Sequence, residues 1–235
     1  MELKTRRIAA LAFAAALCPV YGRAHKRDFL DTYGYYTLER GGVELELFTD
    51  LRVPDSGRNR WFHQSEVEYG VTDRYTLGVY GVFVDGQGFT AWKLENKYRL
   101  SQPGQWPVDT TLYLEYKDAN GAKDQNEIEA KAILSKDFGK WNLTANPILE
   151  FEQEEEPNGE KEWEAEPALA LGTAYRTGGR LTPGIELLLA KRKTRLTPGL
   201  YIDILPEIRL NLGVGIGLEK PADDMQFKSL LELEF

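Results

Sequence analysis

The chain holds one cysteine, two histidines and two methionines in 235 residues. A lone cysteine cannot form an intrachain disulfide or a cysteine-based zinc site. No metal-ligating cluster is visible, and no cofactor is implied. Long apolar runs are missing too: no stretch reaches the ~18 consecutive apolar residues that span a bilayer as a helix. Positive charge is scarce, with 29 bases against 37 acids and a formal net charge of −8. The excess of acids argues against nucleic acid as a partner. At 42% apolar residues, the composition is too ordered for a disordered chain and too polar for a helical membrane protein.

The first residues read as an address. Lys4, Arg6 and Arg7 form a positive region, Ile8 through Cys18 an apolar core, and Gly22 and Ala24 supply small residues. That is the pattern of a secretory signal peptide, expected over residues 1–24 with cleavage after Ala24. Leu17, before Cys18, is a poor fit to the small residue that lipoprotein processing needs. Without residues 1–24 the chain loses its only cysteine and becomes more acidic. Residues 25–35 are then expected as an N-terminal periplasmic segment, and 36–235 as a single domain.

Beyond the leader, helical periodicity gives way to alternation of period two, the mark of strands with two unlike faces. Ile208, Leu210, Leu212, Val214, Ile216 and Leu218 alternate with Arg209, Asn211, Gly213, Gly215 and Gly217. Leu112, Leu114 and Tyr116 alternate with Tyr113, Glu115 and Lys117. Turn signals cut the chain into twelve strands, expected near 36–50, 59–71, 74–85, 87–100, 107–117, 124–137, 140–153, 161–176, 180–192, 195–204, 206–219 and 226–235. One set of connections is mostly short and the other mostly longer and polar, the usual asymmetry of an outer-membrane barrel. Pro183, Pro198 and Pro206 fit strand starts. Pro147 and Pro167 fall in mid-strand, which demands a bulge or different boundaries.

The chain ends with Leu231, Leu233 and Phe235 on one face and Glu232 and Glu234 on the other. A terminal aromatic with apolar residues at every second position resembles the closing-strand signal that barrel-assembly machinery reads. Aromatics gather near strand ends, as in a membrane girdle: Tyr35, Tyr36, Trp61, Phe62, Tyr75, Phe89, Trp141, Trp163 and Tyr175. A soluble β-sandwich also alternates and is the competing architecture. The even strand count, the nearly charge-free apolar faces and the girdle favour an all-β, single, antiparallel, up-and-down transmembrane barrel of about 12 strands in the bacterial outer membrane. Outer-membrane lipids are then a partner.

With strands ~4.8 Å apart and tilted ~40°, such a barrel is roughly 24 Å across. Its inward parity carries Glu44, Glu46, Glu66, Glu68, Lys93, Glu95, Lys97, Arg99, Glu115, Lys117, Glu129, Lys131, Glu164 and Arg209 as candidate lumen or transport residues. Acids dominate, so a wet lumen favours cations among small solutes. The opposing expectation is a non-conducting structural barrel whose charges fill the lumen. A weaker enzymatic alternative is a lipid-facing hydrolase using Ser65 as nucleophile and His63 as base, a His-x-Ser pair on the outward parity. It lacks a convincing third partner. The Glu154–Glu156 run, Asp118 with Asp124, and Asp223-Asp224 are read as solvated loop charges, with loose calcium binding as the alternative.

Residues 66–80, Glu66-Val-Glu-Tyr-Gly-Val-Thr-Asp-Arg-Tyr-Thr-Leu-Gly-Val-Tyr80, make a strand, a Thr-Asp turn and a strand. With the upstream Tyr36-Thr-Leu-Glu-Arg-Gly-Gly-Val-Glu-Leu-Glu46, this resembles a group of uncharacterised Gram-negative outer-membrane barrels. They are related to the transporter-type barrels named after meta-pathway phenol degradation. The resemblance covers the first four strands and implies an outer-membrane barrel that carries small molecules. The shared motifs are structural, so it transfers no functional residue.

Overall fold

Residues that alternate apolar and polar present two unlike faces only when extended, and extended segments need partners for their backbone groups. The computed structural model describes residues 28–119, 126–155, 161–191, 193–220 and 225–235. In it the alternating segments form twelve strands: β1 (Val43–Val53), β2 (Arg60–Thr72), β3 (Tyr75–Val84), β4 (Gly88–Arg99), β5 (Asp109–Ala119), β6 (Glu127–Phe138), β7 (Trp141–Glu155), β8 (Lys161–Tyr175), β9 (Leu181–Ala190), β10 (Arg195–Leu205), β11 (Ile208–Gly217) and β12 (Met225–Glu234). Each pairs antiparallel with its neighbours in sequence, and β1 closes on β12. The closing ladder runs from Glu44↔Glu234 to Val53↔Met225. Beyond it, the Phe235 amide donates to the Val43 carbonyl at 2.8 Å. Closure leaves no strand edge unpaired, which excludes the open-edged sandwich.

The two faces are sorted by parity. Val67, Tyr69, Val79, Leu112, Leu114 and Leu149 are exposed on the outside, while Glu66, Glu68, Tyr80, Tyr113 and Glu115 are buried inside. Apolar out and polar in inverts a soluble protein, and a lipid surround stabilises it. Leu231, Leu233 and Phe235 share the outward parity, with Leu231 opposite Leu47 and Leu233 opposite Leu45. Trp61, Phe89, Trp141 and Trp163 are exposed at strand ends. Phe62 instead has the inward parity, with the Arg52 guanidinium 4.6 Å above its ring.

The mid-strand prolines need neither a bulge nor new boundaries. Each sits where a ladder lacks a rung. The β6–β7 pairing passes from Lys131↔Ile148 to Leu134↔Ala145, and Pro147 lies in that gap. The β8–β9 ladder ends at Ala168↔Ala190, one residue short of Pro167. At its other end it stops at Ala174↔Gly184, one residue short of Pro183. Pro198 falls in the gap between Leu196↔Ile216 and Gly199↔Gly213. A missing amide costs nothing where no partner faces it.

The N-terminal region departs from expectation. β1 starts at Val43, not near residue 36, and residues 28–42 turn into the barrel. Phe29, Leu30, Tyr35 and Leu38 are buried there. Residues 28–35, expected outside the wall in the periplasm, therefore lie within it. Tyr35 and Tyr36 pack with the interior Tyr113 and Ile133 rather than in a girdle. The reason is local: residues 28–38 do not keep the period-two pattern, so no one face of theirs suits lipid. The expected leader, residues 1–24, lies outside the described residues, as do Asp124, Glu156 and the Asp223-Asp224 pair.

Candidate functional site: a lumen crossed by an N-terminal strap

Residues 28–42 form a strap across the lumen, and the wall meets its polar groups one by one. The amides of Leu30, Asp31 and Thr32 donate to the Glu186 carboxylate of β9 at 2.8, 2.7 and 2.6 Å. Asn146 of β7 accepts from the Tyr33 amide at 2.6 Å and donates to the Tyr33 carbonyl at 3.1 Å. The Thr111 hydroxyl on β5 donates to the Tyr35 carbonyl at 2.5 Å, and Thr76 on β3 accepts from the Leu38 amide at 2.8 Å. Gly41 and Gly70 join strap to β2, amide to carbonyl, at 2.7 Å. Buried backbone groups must be paired, and inward Glu, Asn and Thr side chains do so here.

Charge pins the strap where it enters. Asp28 pairs with Arg176, in the β8–β9 turn, at 2.9 Å and with Arg209 of β11 at 2.7 Å. Partial burial alone would weaken the charge on Arg176, but Asp28 and Asp137 beside it hold its pKa above the ordinary arginine value. Asp31 takes Arg195 at 2.7 Å, Lys228 at 3.1 Å and the Thr197 hydroxyl at 2.9 Å. Removing one partner of such a buried pair costs about 3–5 kcal/mol.

Shape completes the fit. A Cβ on Gly172 would lie 2.6 Å from the Phe29 ring, and one on Gly213 would lie 2.4 Å from Leu30 Cδ1. The two glycines are the hollows into which the strap's apolar residues sink. Phe29 also meets Tyr201 edge to face, 5.9 Å between centroids. Leu230 and Ala174 close this small core.

The fold is that of an outer-membrane β-barrel. An outer-membrane channel from Pseudomonas putida F1 superimposes with TM-score 0.62 and 14% identity, covering 88% of this chain and 100% of that one. The NanC porin gives 0.59 and 12%, covering 81% and 98%. The translocator domain of the autotransporter NalP from Neisseria meningitidis gives 0.53 and 12%, covering 100% and 95%. No family model matches the chain, and no curated protein matches it significantly. Two of these likenesses are called a channel or porin and one a translocator domain, so the shared fold does not choose among such roles.

The strap divides the lumen into two zones. Toward the end that carries the short turns, inward residues all round the wall are fully buried, among them Thr76, Glu95, Thr111, Asn146, Tyr201 and Asn211. Toward the loop end, Lys117, Glu127, Glu129, Glu150 and Glu152 stay partly exposed and Glu164 is exposed. The barrel is a cup floored by the strap; near its loop end Asp50, Val82, Thr90 and Gln226 are buried as well, so the partly exposed residues lie on the β5–β8 side.

The candidate lumen residues divide between these zones. Glu44, Glu46, Glu66, Glu68, Glu95, Lys97 and Arg99 are buried near the turn end. Lys97 binds Glu68 at 2.5 Å and Glu95 at 2.9 Å, and Arg99 donates to the Asp73 carbonyl at 2.6 Å. Lys93 binds Glu115 at 2.8 Å, Lys131 binds Glu129 at 2.7 Å and Lys117 binds Glu127 at 3.3 Å. Lys131 also lies 3.8 Å above the ring of Tyr33, linking these pairs to the strap. Glu164 stands at the rim with Lys191 at 3.0 Å. Arg209 holds Asp28 and Asp203.

Ser65 and His63 are both exposed on the outer face. His63 Nδ1 is 3.0 Å from the Thr49 hydroxyl, and its ring stacks on Trp61 with centroids 6.0 Å apart. No carboxylate or amide bonded to His63 is seen among the described residues, where a triad would place its orienting group.

The sequence reading missed Glu186, Asn146, Thr111, Asp28 and Asp31 as strap anchors. One signal was present: inward Gly172, Gly213 and Gly215 leave a wall too thin to fill its own lumen. What occupies the space was not readable from that.

Proposed function

We propose that the chain is an outer-membrane channel for passive passage of small solutes, held shut in this state by the strap of residues 28–42. The observation that carries this is the chemistry of the floor. The strap forms no part of the sheet, and polar contacts anchor it at Glu186, Asn146, Arg195 and Arg209. Most of these contacts involve a charged group and contribute about 1.5–3 kcal/mol each, but none of them is a rung of the wall's own ladders, so the floor lifts without unfolding the wall. Glu127, Glu129, Glu150, Glu152 and Glu164 line the open zone and favour cations over anions at its mouth. The likeness to a porin and a channel supports the reading. So does the resemblance of the first four strands to transporter-type barrels, with Leu231, Leu233 and Phe235 as the assembly signal.

The test is single-channel recording of the refolded barrel in a planar bilayer under a salt gradient. The expected result is long closed periods broken by discrete, cation-selective steps. Openings with anion selectivity would remove the acidic-mouth argument. A barrel that inserts but stays silent, even with its strap anchors mutated, would overturn the channel.

A second reading has its own observation. Phe29 and Leu30 are seated in glycine hollows, which favours a permanently filled, structural barrel. The same recordings separate the two.

A further inference from the structure

The closing seam of the barrel carries acids opposite acids. Glu46 on β1 stands opposite Glu66 on β2 and Glu232 on β12, and Glu44 stands opposite Glu68. Like charges directly opposite on paired strands repel. Oxygens of Glu46, Glu66 and Glu68 lie within 4.8 Å of one another, and so do those of Glu44, Glu46 and Glu232. All five side chains are buried.

Glu66 is the telling member. It is fully buried, and neither of its carboxylate oxygens has a hydrogen-bond partner. A buried acceptor left unmet costs about 1–3 kcal/mol, more when charged, and calls for a missing partner. The space around it is prepared. Gly78 sits opposite Glu68 on one side and Glu95 on the other. A Cβ on Gly78 would lie 2.1 Å from Glu66 Oε1. The nearby cations meet other carboxylates than Glu66. Lys97 bonds Glu68 and Glu95, and Arg209, whose Nε is 4.0 Å from Glu232, holds Asp28 and Asp203. Tyr80 donates to Glu95. Negative charge remains in excess around Glu66.

We propose that Glu46, Glu66 and Glu68 bind a hard divalent cation of the calcium class, with Glu44 and Glu232 extending the site to β12. Calcium takes 6–8 oxygens in flexible geometry and accepts bidentate carboxylates, which three clustered glutamates supply. Magnesium demands a near-ideal octahedron and keeps several waters, so it suits a dry carboxylate cluster less well. The ion replaces acid–acid repulsion with shared coordination and stitches β12, β1 and β2 at the point where the barrel closes. The inference goes beyond the channel reading and stands whether or not the lumen conducts.

The experiment uses the full folded barrel in detergent micelles, stripped with a chelator and titrated with Ca²⁺ by calorimetry. Thermal unfolding is followed with and without the ion. The expected result is saturable binding of one ion per barrel and a higher Tm in Ca²⁺. Glu66→Gln should weaken binding by at least the ~10-fold that follows loss of even an outer-shell ligand partner, and abolish the Tm rise. Asp85→Asn, in the exposed turn between β3 and β4, should do neither. Glu46→Gln serves as a second variant should Glu66→Gln not fold. Absence of Ca²⁺ binding by the unmutated barrel would overturn the site. So would Glu66→Gln or Glu46→Gln binding as tightly as the unmutated chain, or loss of binding on Asp85→Asn. An ion-insensitive barrel that Glu66→Gln stabilises would also overturn it, and would mean that the cluster holds protons instead.

Discussion

Glu186 on β9 accepts the backbone amide of Thr32 at 2.6 Å, across 154 residues of chain. The same carboxylate holds the amides of Leu30 and Asp31, so one side chain anchors three consecutive residues of the strap. It also takes the Tyr201 hydroxyl at 3.2 Å, and so links strap, wall and core.

Glu186→Ala should therefore release the strap. Hydrogen bonds to a charged group contribute about 1.5–3 kcal/mol, so losing even one shifts the closed state by roughly 10–100-fold, and losing the set shifts it further. Single-channel recordings should show open time rising by that order, with the circular-dichroism strand signal unchanged. Glu186→Gln, which keeps an acceptor, should fall between.

Asp31→Ala should act at the same step through charge. It leaves Arg195 and Lys228 without their shared carboxylate, and Lys228 keeps Asp50 at 2.8 Å. Orphaning buried charge costs about 3–5 kcal/mol. Protease accessibility of residues 28–42 in the folded barrel should rise sharply. Unchanged protection would show that Asp31 does not anchor the strap.

Gly172→Val tests shape rather than charge. A Cβ there meets Phe29 at 2.6 Å, and overpacking costs roughly 1–3 kcal/mol. The strap should be displaced and conductance should increase, without loss of the heat-resistant barrel form on gels. Gly139→Val, in the turn between β6 and β7, is no shape control, because Gly139 has a φ of 61° that strains any other residue. Phe29→Ala is the better companion, since it empties the same hollow from the other side.

Selectivity tests the acidic lumen. Replacing Glu127, Glu129, Glu150 and Glu152 by Gln in the Glu186→Ala background should move the reversal potential toward zero in a salt gradient. An unmoved potential would remove the acidic mouth as the source of selectivity.

Ser65→Ala should leave the barrel unaltered. His63 faces Thr49 and Trp61, not an acid. Lipid-hydrolysis assays should give equal, background rates for both forms. A Ser65-dependent rate would revive the enzyme.

Much of the wall was legible in the sequence, because face alternation is a local property. The pattern Leu112-Tyr113-Leu114-Glu115 sorts its side chains in or out wherever the strand sits, and closure follows from twelve such segments joined in order. The prolines show where local reading stops: Pro147 was visible as an anomaly, but only the β6–β7 pairing reveals the rung missing beside it. The site was less legible still. Asp28 meets Arg209 across 181 residues, and Glu46 meets Glu232 only because β1 closes on β12. Residues 28–42 carry no period that names a partner, so their place was decided by backbone amides meeting Glu186 and Asn146, and by the Tyr35 carbonyl meeting the Thr111 hydroxyl, inside the closed wall. Strand order and sidedness belong to the sequence. The floor of the cup and the acid cluster at its seam belong to the closed barrel, because only closure brings their partners within reach.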